Sequence, residues 1–102
     1  MSTSTSNEES QERKLPSELC LKHASKIAIV QDRPIMLDYW VDSLDSQCFI
    51  GVKDSNEKLL VKNEDEYTSP IAKIYKVSNE YLIMTENSIY IVDGGIATRR
   101  IQ

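Results

Sequence analysis

Three apolar phrases in the second half of the chain, residues 72–77, 80–85 and 88–92, are separated only by the pairs Ser78-Asn79 and Glu86-Asn87. Breaks that short admit tight β-hairpins and little else. The phrases therefore read as a three-stranded antiparallel meander. Side-chain alternation assigns Tyr75, Val77, Leu82, Met84, Ile89 and Ile91 to one face and Ile74, Tyr81, Ile83, Tyr90 and Val92 to the other. Both faces are apolar. A chain folded this way must cover the meander twice or leave one face for a partner.

A second set of strands precedes it. Residues 27–30 (IAIV) form a short β-branched run that stops at Asp32-Arg33-Pro34. Ile35, Leu37, Tyr39 and Val41 then alternate with Met36, Asp38, Trp40 and Asp42, a period-2 pattern. A four-residue loop at 43–46 places Val41 opposite Cys48, and a loop at 54–57 places Val52 opposite Leu59 and Ile50 opposite Val61. One face then stays apolar across three strands, through Leu37, Tyr39, Val41, Cys48, Ile50, Val52, Leu59 and Val61. Agreement between independent loops and one continuous face supports the register.

The expected fold is all-β: a small barrel or two-layer sandwich of about seven antiparallel strands in two meanders, with flexible N- and C-terminal tails. Residues 1–25 are a polar arm, dispensable for folding up to about residue 14. Residues 15–25 fit either a short helix or a strand docked on the domain edge. Residues 26–93 are the β domain, and residues 94–102 are a basic C-terminal tail carrying Arg99 and Arg100.

Charge narrows the partner classes. The 102 residues carry a formal charge of -4, and residues 27–93 hold 12 acids against six bases. An acidic domain is a poor non-specific binder of phosphate backbones or anionic lipid, so neither nucleic acid nor membrane is an expected partner. No apolar run reaches membrane-spanning length, and the first residues have no apolar secretory core. Cys20 and Cys48 lack metal-ligand spacing. Reduced thiols in a cytosol-like intracellular compartment are the expectation, with a single disulfide between them as the alternative.

Nothing in the pattern carries catalysis, a metal or a cofactor. His23, the only histidine, lies three residues from Cys20 but has no orienting partner to nominate. Asp38 and Asp42 flank Trp40, yet four residues along a strand is about 13 Å, too far for a carboxylate pair acting on a glycoside. The acidic loop at 63–66 lacks the spacing and glycine of a calcium loop. Gly51 is isolated, and no helix pattern follows Gly94-Gly95, so no phosphate loop is present. The candidate interaction surface is Trp40, Phe49, Ile74, Tyr81, Ile83, Tyr90 and Val92. Trp40 reads equally as a partner anchor or as a residue covered by the N-terminal segment.

The stretches DRPIMLDYWVDSL, EYTSPIAKIYKV and EYLIMTENSIYIVD resemble small uncharacterised proteins of large double-stranded DNA viruses of algae and protists. The resemblance spans most of the folded part. It implies an accessory or virion-associated protein and transfers no functional residues. The expected function is a non-enzymatic structural or protein-interaction module with a protein partner or a second copy. An intracellular peptide- or protein-recognition domain of regulatory type is the second reading.

Overall fold

In a computed structural model of the chain, residues 14–101 are described. Of the part of the expected arm taken as dispensable, residues 1 to about 14, only Lys14 falls among them. Helix α1 spans Glu18–Gln31. Ser17 caps it, in extended geometry, with Oγ accepting from the Cys20 N–H at 3.1 Å. Asp32 ends it in the left-handed region at φ 55, just ahead of Pro34. Cys20, Leu21, Ala24 and Ile27 form one inward stripe. The β-branched run 27–30, expected as a strand, is therefore the last turn of this helix. Ile27 completes the stripe, while Ile29 is 81% exposed. Docking of the stripe outweighs the modest helix penalty of branched side chains.

The alternating run 35–41 is likewise split. Only Ile35–Met36 forms a strand, β1. After a turn closed by Trp40 N–H to the Leu37 carbonyl, Trp40–Leu44 forms a short helix, α2. A helical turn sends Trp40, Val41 and Leu44 toward α1, while Tyr39 enters a different cluster. Period-2 spacing over so few residues does not separate these outcomes. Ser43 Oγ accepts the Asp93 N–H at 2.8 Å and ties α2 to the end of the sheet.

The remaining strands are β2 (Phe49–Val52), β3 (Lys58–Asn63), β4 (Glu66–Tyr67), β5 (Ile71–Val77), β6 (Glu80–Thr85), β7 (Ile89–Asp93) and β8 (Ala97–Arg100). They form two four-stranded sheets, ordered β1-β7-β6-β5 and β4-β3-β2-β8, and neither closes into a barrel. The all-β, all-antiparallel expectation is corrected accordingly. The molecule combines two helices with two open sheets, and β1–β7 and β2–β8 pair in parallel. Part of the expected basic tail is β8, and Ile101 continues it with its N–H on the Val52 carbonyl.

The second meander has the expected register: Val77 opposite Glu80, Leu82 opposite Ile91 and Met84 opposite Ile89. The β2–β3 register differs by one residue, with Ile50 opposite Leu60. Lys53 N–H bonds the Glu57 carbonyl and Asn56 adopts φ 73. A three-residue loop closed by a left-handed residue replaces the expected four-residue one. A one-residue slip exchanges faces, so Leu60 enters the core while Leu59 and Val61 line the outer groove of their sheet.

Two clusters result. One joins Ile83 and Val92 to Ile50, Leu60, Cys48 and Tyr39 between the sheets. The other joins Leu82 and Ile91 to Cys20, Ala24 and Trp40 beneath α1. The sheet β1-β7-β6-β5 is thus the middle of three layers, which is why both faces of its meander are apolar. Cys20 and Cys48 are free thiols in separate clusters.

Candidate functional site

The expected interaction surface is mostly interior. Ile83 and Val92 are fully buried between the sheets, with Tyr81 and Tyr90 packed against them. The chain's own second sheet covers this face, so it is not a free docking surface. Trp40 is 4% exposed, and its indole N–H donates to the Lys14 carbonyl at 2.8 Å. The segment leading into α1 covers it, as the second of its two readings had it. Phe49 lies half-buried on the outer face of its sheet with the Arg99 guanidinium 4.5 Å from its ring centroid. Among these seven residues, only Ile74 is exposed.

Ile74 sits at the centre of β5, the edge strand beside β6. Residues 72–76 are all exposed. The direction of the strand's free hydrogen-bonding groups follows from alternation. Thr85 N–H donates to the Ser88 carbonyl, so Thr85, Ile83 and Tyr81 turn their backbone groups toward β7. Leu82 and Glu80 then turn theirs toward β5, where they meet Tyr75 and Val77. The N–H and C=O groups of Ile74 and Lys76 point away from the sheet. Among the described residues none has a partner beyond the β5–β6 ladder. An uncovered strand edge of this length is an open template for another strand.

Hollows flank the edge on both faces. The first, about 500 Å³, lies between α1 and β5 and is lined by Leu19, His23, Ile27, Tyr75, Val77 and Leu82. The second, about 330 Å³, lies between β5 and the β2–β3 turn, with Ile71, Ile74, Asn56 and Lys58 around it. Ser17 fixes the far end: its Oγ donates to the buried Glu80 carboxylate at 2.8 Å, next to the Ser78-Asn79 turn that ends β5. That bond holds the start of α1 over the strand.

The chemical candidates do not converge. Cys20 is buried, with burial and the neighbouring Glu80 carboxylate pushing its thiol up to about 11. His23 is exposed in the hollow beside α1. Asp42 lies on α2, 3.9 Å from Lys62, which also reaches Glu66 at 3.4 Å. The same ammonium stands 4.6 Å above the Tyr39 ring, and Tyr39 meets Tyr90 edge to face at 5.3 Å. Burial, followed by Glu66, raises the Tyr39 phenol well above its usual range. These contacts tie α2 to both sheets. Among the described residues no group of three or more His, Cys, Asp or Glu is placed to hold a metal ion. No described helix is long and apolar enough to cross a membrane.

Alternation already located Ile74 in sequence. What it lacked was the strand order, which alone makes β5 an edge and brings α1 alongside it. Compared with family models, with curated proteins and with solved structures, the chain matches none.

Proposed function

We propose that the protein is a non-enzymatic protein-interaction module that takes up an extended segment of a partner as an added strand beside β5. The observation carrying this reading is the open β5 edge, with the backbone groups of Ile74 and Lys76 turned outward between two side-chain hollows. Strand addition draws affinity from main-chain hydrogen bonds and selectivity from pockets for alternate side chains. Both ingredients meet here. Lysines on an edge strand discourage copies of the same edge from pairing. Lys73 and Lys76 therefore favour recognition of a different chain over self-assembly through β5. The likeness to viral proteins adds no residue to this reading, which suits an accessory protein as well as a regulatory domain.

Selection from a displayed library of random peptides tests it. Peptides enriched on the wild-type protein should lose binding to Lys76→Pro, which removes one outward N–H from an edge position that tolerates proline. Their binding should also slow hydrogen exchange at the Ile74 and Lys76 amides. Peptides that bind Lys76→Pro equally well, or that leave these amides unprotected, would sink the proposal.

A further inference from the structure

Resting on the strand-addition reading, we infer that the β5 edge selects an acidic extended segment in which apolar side chains alternate with carboxylates. Charge around the edge opposes that of the whole molecule. The chain carries -4 overall, but the two hollows are lined by Lys58, Lys73 and Lys76 against one acid, Glu57. Glu57 is already paired with Lys53 at 3.2 Å. Lys58, Lys73 and Lys76 form no ion pair among the described residues. On α1, Lys22, His23 and Lys26 are exposed against Glu18. The nearby Glu80 carboxylate is buried and occupied by the Ser17 hydroxyl.

The two faces of the edge differ. Tyr75 and Val77 pair with Leu82 and Glu80 and share the α1 side, where Leu19 and Ile27 complete an apolar wall. Ile74 pairs with Ile83 and lines the hollow on the opposite side with Lys58 and Lys73, while Lys76 lines the hollow beside α1. An added strand alternates between these sides. Its apolar residues fit against Leu19, Ile27 and Ile74, and its carboxylates reach Lys76 beside α1 and Lys58 and Lys73 on the other side. The basic edge on an acidic chain matches a separate acidic molecule. A symmetric copy would bring the Lys73 and Lys76 of both strands into one ladder, which like charge disfavours.

Calorimetric titration of the full chain with three short peptides, each about the length of β5, tests the inference. One alternates valine with glutamate, one valine with serine and one valine with lysine. The glutamate peptide should bind about ten-fold tighter than the serine peptide, from several exposed ion pairs together. The lysine peptide should not bind measurably. The preference should shrink when salt is raised from about 50 mM to about 500 mM, and Lys73→Glu/Lys76→Glu should reverse it. Equal binding of the glutamate and serine peptides would overturn the acidic preference and leave the strand-addition reading standing. If no peptide binds or protects the Ile74 and Lys76 amides, both fall. Displacement of the glutamate peptide by a synthetic copy of residues 1–13 would make the chain's own arm the occupant. A dimer that Lys76→Pro disperses would make it a second copy. Either result overturns the inference.

Discussion

Cys20 and Cys48 show how strongly single residues here are shaped by their layer. Each lies in an apolar cluster, and burial foremost raises its thiol from 9.0 to about 11; Glu80 adds to this at Cys20 and Asp42 at Cys48. In both, the folded state holds the proton more tightly than the unfolded one. Their contribution to stability is therefore complete below pH 9 and is lost as pH rises toward 11. Tyr39 and Tyr90 act in the same direction above pH 10. The cysteine share is isolated by comparison with Cys20→Ala/Cys48→Ala: urea denaturation should show a smaller decline between pH 9 and 11 in the variant than in the wild type. Parallel declines would mean that the thiols are not held neutral by the fold.

At the scale of elements, α1 depends on the residue that caps it, Ser17. Ser17 Oγ accepts from the Cys20 N–H and donates to Glu80, so one hydroxyl both caps the helix and fastens it to β6. Replacing it with alanine removes the cap, about 1 kcal/mol, and leaves the buried Glu80 carboxylate without that donor, which adds a cost of similar size. Ser17→Ala should lower the unfolding free energy by about 2 kcal/mol, while Ser17→Asp should recover less than the full cap because it faces Glu80. A change below about 0.5 kcal/mol in Ser17→Ala would show that the bond to Glu80 contributes nothing. The same geometry links the helix to the proposed edge, since Glu80 lies opposite Val77 at the end of β5.

For the whole molecule, the decisive arrangement is a middle sheet buried on both sides. Ile83 points into the layer between the sheets and is fully buried. Ile83→Lys should therefore abolish cooperative unfolding, because a lone ammonium in that layer has no partner. Ile74→Lys, on the exposed neighbouring strand, should change stability by less than about 0.5 kcal/mol. Circular dichroism during thermal melts distinguishes them. A folded Ile83→Lys protein would contradict the three-layer packing.

Much of this order was written locally. The registers of β5, β6 and β7 follow from two-residue turns, and a short turn leaves a strand few ways to pair. The apolar character of both faces of that meander was visible too, but what covers them was not. Residues 27–30 have strand-like side chains and lie in a helix because Cys20, Leu21 and Ala24 extend their inward stripe. Ile35 and Met36 pair in parallel with Ile89 and Tyr90, and Phe49 with Ala97. Parallel pairing joins segments with no turn between them to announce it. Gly51 belongs to the same class: a Cβ there would stand 2.7 Å from the Ile101 side chain, a contact invisible until β8 is placed. The sequence by itself determined the hairpins, the turns and the apolar faces, because these arise among neighbours along the chain. The stacking of helix on sheet on sheet, and with it the exposure of β5, was decided only in three dimensions, where distant segments compete to cover the same apolar surface.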